Sequence, residues 1–129
     1  VPAPSAKFAS DADLSVTSQA LAEALPPSHL SFLYNLEIAL DYGDFYFVHA
    51  GVDPERELDD QTDADRLWIR ERFLDSDVNL ERIIVHGHTP VENAARIGGR
   101  IAPDTGAFVT GRLTAARFWD KTVEFLTTP

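Results

Sequence analysis

The chain has 129 residues, 44% of them apolar, and a formal charge of −10. That is one domain's worth of chain with material for a core, no apolar run approaches the ~20 residues of a membrane span, and the acidic balance argues against a nucleic-acid partner. The absence of cysteine excludes disulfides, thiolate metal sites and cysteine nucleophiles, and suits the cytoplasm, the compartment expected here.

Residues 1–15 are rich in Pro, Ala and Ser and read as a loose lead-in. They hold no basic segment followed by an apolar one, as a secretory signal requires. The chain begins at Val1 and contains no Met, so the expectation is that something upstream is missing. Residues 16–36 are expected to be helical. Thr17–Leu25 is made of good helix formers and stopped by Pro26-Pro27, and Ser28 is placed to cap a second helix running to about Leu36. His29, in the first turn of that helix, reads as an ordinary exposed histidine.

Residues 37–129 read as a sheet region. Glu37–Asp41 and Asp44–Val48 are β-leaning runs joined at Tyr42-Gly43, and Gly51–Asp65 is an acidic surface loop. Asp65–Leu74 reads as one amphipathic helix or turn with Leu67, Trp68 and Phe73 on its apolar side. Arg82–Val85 is a short buried strand. Ala107–Phe118 and Thr122–Leu126 alternate apolar and polar residues around a turn at Trp119-Asp120-Lys121, which predicts a terminal hairpin. The mixture predicts an α/β or α+β fold built around a sheet.

Two apolar runs end in histidine followed by small, turn-forming residues: Phe47-Val48-His49-Ala50-Gly51 and Ile83-Ile84-Val85-His86-Gly87-His88-Thr89-Pro90. A histidine at the mouth of a strand is aimed by a rigid sheet, and imidazole is the commonest transition-metal ligand. Burying His49 and His88 together leaves four ring nitrogens in need of partners, and a shared metal would satisfy two of them. Either histidine alone reads more readily as a hydrogen-bonded core residue than as a ligand. Of the eleven basic residues nine are Arg, whose planar fork suits phosphate.

These motifs form an ordered series: His49-Ala50-Gly51, Leu67-Trp68-Ile69-Arg70-Glu71-Arg72, Gly87-His88-Thr89-Pro90, and Asp104-Thr105-Gly106-Ala107 with Gly111-Arg112-Leu113-Thr114. Over about Leu25–Phe118 the series resembles the C-terminal half of a bacterial phosphoprotein phosphatase of the calcineurin-like metallophosphoesterase superfamily. The resemblance implies a two-sheet, four-layer α/β/β/α sandwich, of which this chain supplies the later half. It implies a dinuclear centre of manganese, iron or zinc in which His49 and His88 ligate one metal, with Arg70 gripping the substrate phosphate. A metal-bridging hydroxide would attack phosphorus in line with the leaving oxygen. The substrates implied are phosphoserine and phosphothreonine in proteins, or small phosphoesters. The nearest alternative within the superfamily is a diadenosine tetraphosphate hydrolase, and a non-catalytic interaction module is the alternative from another class.

His86 shares a strand face with His88 in this reading, which makes a ligand role conceivable, whereas the family motif selects His88. Arg72 reads as a surface partner of the acidic loop, Asp53 as a possible orienting group, and Asp104 as structural. Two departures stand out. Ala102-Pro103 precedes Asp104-Thr105-Gly106 where the family has an apolar residue, which places that strand at an edge or makes it irregular. The family's Gly-Asp-x-His-Gly, Gly-Asp-x-x-Asp-Arg-Gly and Gly-Asn-His-Glu elements do not occur. They would supply the first metal's ligands, the bridging carboxylate and the catalytic acid. The chain is therefore expected to be part of a longer phosphatase, to hold metal poorly alone, and to need its other half or a second copy to cover its inner apolar faces.

Overall fold

The computed structural model describes residues 11–77 and 80–129. The chain divides into two compact units, Val1–Leu36 and Glu37–Pro129. The first contains α1 (Asp11–Ala24) and α2 (Pro27–Tyr34). Helix α1 starts within the expected lead-in, because each residue added to an existing helix gains a backbone hydrogen bond for little further ordering cost. The double proline ends it as expected. Ser28 is not the cap of α2. Pro26 holds that position and Pro27 is the first helical residue, where its fixed φ fits and its missing N–H is not needed. His29 is exposed.

The second unit holds a five-stranded sheet ordered β1-β2-β3-β5-β4, from β1 (Ala39–Tyr42), β2 (Phe45–Val48), β3 (Ile83–Val85), β4 (Ala95–Ile97) and β5 (Arg100–Ala102). β2, β3 and β5 run parallel in the middle, and β1 and β4 close the edges antiparallel. The first hairpin turns at Gly43-Asp44, one residue later than expected, with Tyr42 opposite Phe45. β5 is internal, which corrects the expected edge. The strand stops at Ala102, so Pro103 falls just beyond the ladder and no hydrogen bond is lost.

Phe45-Tyr46-Phe47-Val48 is an unbroken apolar run because β2 is covered on both faces, as central parallel strands are. Tyr46, Val48 and Ile84 face one way and pack with Val52 and Phe73. Phe45, Val85 and Ile101 face the other way, against Phe118, Val123 and Phe125 of a second sheet formed by β6 (Thr114–Trp119) and β7 (Thr122–Thr127). The Phe118 ring sits edge-on to both Phe45 and Phe47, with centroids 4.9 and 5.3 Å away. This is a mixed α/β unit of two packed sheets with short helices on the far face of the larger one.

Two readings of the sequence need correction. Asp65–Leu74 is not one helix but α3 (Asp63–Trp68) and α4 (Glu71–Leu74). A capping box starts α3: the Thr62 hydroxyl accepts the Asp65 N–H while the Asp65 carboxylate accepts the Thr62 N–H. The break follows because Ile69 turns extended and packs into the core. Ala107–Phe118 is not one strand either. Residues 107–110 form one helical turn, α5, between Gly106 and Gly111, both left-handed at φ 65° and 74°. Among the described residues no helix is long and apolar enough to cross a membrane.

Candidate functional site

β2 and β3 are parallel neighbours, so the segments leaving their C-terminal ends lie side by side. Their loops stay tied beyond the strands, since the Gly87 N–H donates to the His49 carbonyl at 2.8 Å. The opening of an α/β sheet beyond its strand ends is the usual place for a ligand site. Here it brings together His49 and His88, 39 residues apart in sequence, with His49 Nε2 at 3.1 Å from His88 Nδ1.

His88 owes its aim to an unusual backbone. The Thr89 N–H donates to the Gly87 carbonyl at 2.7 Å, closing a γ-turn around His88, which sits at φ 66°. A side-chain-bearing residue in that region costs about 1–3 kcal/mol and persists only where surrounding contacts impose it. β3 ends at Val85, so His86 and His88 do not share a strand face.

His86 points instead into the core, 2% exposed, with its ring 4.9 Å from that of Phe73 and nearly perpendicular to it. With Nδ1–H donating to the Gly87 carbonyl at 3.2 Å, its Nε2 is a bare acceptor. Burial pushes its pKa below the ordinary histidine value. The pKa of His88 is also lowered, first by burial, then by the Arg70 guanidinium and by His49, with Asp104 opposing. Both rings are thereby biased toward the neutral form that binds metals.

Phe73 holds the two histidine loops in register. Its ring stands against Gly51, where an added Cβ would overlap it, and Gly51 has φ 153°. A glycine after His49-Ala50 is thus required both by conformation and by the close approach of this ring. The Ala50 N–H donates to the Arg66 carbonyl at 2.8 Å, fastening the same loop to α3.

Arg70 lies between α3 and α4. Its Nη1 donates to the Thr89 hydroxyl at 3.0 Å, next to His88. No partner of its Nε or Nη2 is found among the described residues, so most of the fork is free to meet an anion. The structure thus gathers His49, His88 and Arg70, the three positions singled out in the sequence. It adds two that were missed. Thr89, the anchor of Arg70, was readable only as part of its motif. Trp68, placed by its spacing on the apolar side of an amphipathic segment, is 70% exposed with its ring centroid 5.8 Å from that of His88.

The remaining candidates serve as scaffold. Asp53 is buried, accepts the Glu55 N–H at 3.0 Å, and pairs with Arg56 at 3.3 Å and Arg72 at 3.2 Å. Arg72 also meets Glu55 at 2.7 Å, as its reading as a partner of the acidic loop requires. Gln61, also buried, closes the loop by accepting the Asp53 N–H and donating back to the Asp53 carbonyl. Asp104 accepts the Gly106 N–H at 2.9 Å.

The 3.1 Å spacing of the two histidine nitrogens suits ligands of one metal ion. His49 and His88 would be the residues to hold such an ion, and at this spacing the two rings also lie within hydrogen-bonding distance of each other. Two nitrogens fall short of a full coordination shell. Among the described residues no group of three or more His, Cys, Asp or Glu is arranged to hold a metal ion.

No protein-family model and no curated protein matches the chain. A solved structure does match: a crystal structure described as a "putative diadenosine tetraphosphatase", with a TM-score of 0.67 and 18% sequence identity over 88% of this chain. The chain spans 60% of that structure's length. At this identity the likeness shows a shared fold.

Proposed function

We propose that this chain carries part of the active site of a metal-dependent phosphoesterase of the calcineurin-like metallophosphoesterase type. The observation that carries the proposal is the meeting of His49 Nε2 and His88 Nδ1 at 3.1 Å, with Arg70 anchored on Thr89 beside them. In this reading His49 and His88 hold a transition-metal ion, and the missing ligands come from residues beyond those described. Manganese, iron and zinc all suit nitrogen and oxygen donors. Such an ion, when bound, acts as a Lewis acid toward the phosphoryl group and lowers the pKa of water.

The rest of the chemistry falls to protein groups. Arg70 grips two non-bridging phosphoryl oxygens and offsets the charge that builds on them in the transition state. The Thr89 hydroxyl fixes one guanidinium nitrogen, so less side-chain freedom is lost when phosphate arrives. Hydrolysis forms a bond from phosphorus to a water oxygen and breaks the ester P–O bond, and the leaving oxygen takes a proton. No described residue is placed to supply that proton. The family resemblance assigns it to a histidine outside this chain.

The motif series favours phosphoserine and phosphothreonine in proteins as substrates. A second reading, hydrolysis of a dinucleoside tetraphosphate, is favoured by the description of the structure that shares the fold. The test is metal analysis and phosphate release by the full-length protein and by its His49→Ala and His88→Ala variants. Both variants are expected to lose bound metal and activity while keeping their circular dichroism. A full-length protein that binds no transition metal, or whose activity survives both substitutions, would refute the proposal.

A further inference from the structure

Arg70 lies between α3 and α4 at φ −135° and ψ −107°, neither helical nor extended, and its carbonyl accepts the N–H groups of both Phe73 and Leu74 at 2.9 Å. Where its guanidinium points therefore depends on where α4 sits. α4 is a single turn of four residues, too short to be stable by itself, so contacts from outside must fix it. Phe73 supplies one, in the core and against Gly51. Arg100 supplies a second, donating to the Leu74 carbonyl at 3.2 Å. Arg72 supplies the third: its Nη2 lies 3.2 Å from Asp53 Oδ1 and donates to Glu55 Oε2 at 2.7 Å.

The two carboxylates differ in weight. Glu55 is on the surface, and its pair with Arg72 is screened by water. Asp53 is 2% exposed, and Gln61 fixes its backbone from both sides, accepting the Asp53 N–H at 2.6 Å and donating to the Asp53 carbonyl at 2.9 Å. That burial is complete within the described residues, and further chain cannot undo it. Asp53 is thus a fixed post for Arg72. It stands four residues after His49, in a loop already fastened to α3 by the Ala50 N–H. Arg56 shares the same carboxylate at 3.3 Å but belongs to the loop itself. Of the two arginines only Arg72 ties α4, and Arg70 with it, to the loop that carries His49.

We propose that Arg72 is a positioning residue: by pairing with Asp53 it sets the Arg70 guanidinium where it can grip a phosphoryl group beside His49 and His88. The assignment rests on the phosphoesterase reading. Without this tether Arg70 is still held at its tip by Thr89, but its backbone is free to shift with α4. A shift of about 1 Å in a group that grips the substrate costs up to about 100-fold in rate.

The experiment is a double-substitution cycle in the full-length, metal-loaded protein, with Arg72→Ala made both in the parent and in Arg70→Ala. Binding of inorganic phosphate is measured by calorimetry and turnover by phosphate release from a phosphomonoester, with circular dichroism and metal content as controls. In the parent, Arg72→Ala is expected to weaken phosphate binding about fivefold and to lower kcat/KM about tenfold. Arg72→Lys, which keeps a charge for Asp53, should stay within about threefold of the parent. In Arg70→Ala the same Arg72→Ala substitution should change both quantities less than about twofold, because nothing is left to position. Arg56→Ala, which takes a partner from the same carboxylate without touching α4, should also change them less than about twofold. If Arg72→Ala fails to fold, Arg72→Gln, which keeps the aliphatic stem, completes the cycle. Equal losses in both backgrounds, no loss in the parent, or a loss on Arg56→Ala as large as that on Arg72→Ala would each overturn the proposal. So would a parent whose phosphate binding is absent or indifferent to Arg70→Ala. Failure of the phosphoesterase reading is seen separately, as no phosphate release from any ester by a parent that binds phosphate through Arg70, and the binding cycle then decides alone.

Discussion

The close approach of Phe73 to Gly51 yields a prediction whose parts can be separated. Gly51→Ala places a methyl group where the ring stands, and at φ 153° the backbone itself is one that side-chain-bearing residues avoid. The backbone component costs about 1–3 kcal/mol and the overpacking another 1–3 kcal/mol, so the substitution should destabilise by about 2–6 kcal/mol. Phe73 is 2% exposed, and Phe73→Leu, which leaves part of the ring volume empty, should cost roughly 1–2 kcal/mol. In the double variant the methyl group enters the space the ring vacates. The overpacking component disappears while the backbone component remains. The two substitutions together should therefore cost about 1–3 kcal/mol less than the sum of the singles. Urea denaturation followed by circular dichroism measures all three. Additivity within about 0.5 kcal/mol would show that the ring does not constrain Gly51, and the account of how the two histidine loops are held together would fall.

Further predictions follow from the same geometry. Arg70→Ala should lower kcat/KM for a phosphoester at least about 100-fold in the full-length protein, with Arg70→Lys restoring only part, because an ammonium cannot grip two oxygens. Equal activity of the Lys variant and the parent would argue against the two-oxygen grip. Asp53→Ala removes a buried carboxylate whose partners Arg56 and Arg72 are themselves about half exposed, and should destabilise by about 1–2 kcal/mol as read by thermal unfolding. His86 and His88 both have pKa values lowered in the fold, so the unfolded chain binds protons more readily than the folded one. The stability they contribute is complete above about pH 6.5 and declines as pH falls below it toward their lowered folded values. Unfolding midpoints measured between pH 7 and 5 should therefore drop, and less so in His86→Phe. Asp65, whose carboxyl is held below its usual range chiefly by the Thr62 hydroxyl, affects stability only at lower pH. Equal slopes in the parent and in His86→Phe would remove the buried histidine as the cause.

The local chemistry of the chain determined a good deal without any tertiary information. Pro26-Pro27 separates two helices because proline cannot sit inside one, and the run Phe45–Val48 reads as a buried strand because all four side chains are large and predominantly apolar. The turn at Trp119-Asp120-Lys121 was legible from the alternation on either side of it. His49, His88 and Arg70 were legible through residue type, position after strands and motif order, and all three lie together in the fold.

Only the tertiary structure decided the rest, because the deciding partners are remote in sequence. The break at Ile69 depends on a core assembled from β2, β3 and α4, and no local propensity encodes it. The rotation of His88 away from His86 is set by a γ-turn held between loops. The place of β5 inside the sheet depends on β4 folding back beside it. The exposure of Trp68 reverses what its helical spacing implies, because periodicity assigns faces only along a continuous helix, and α3 ends at that residue.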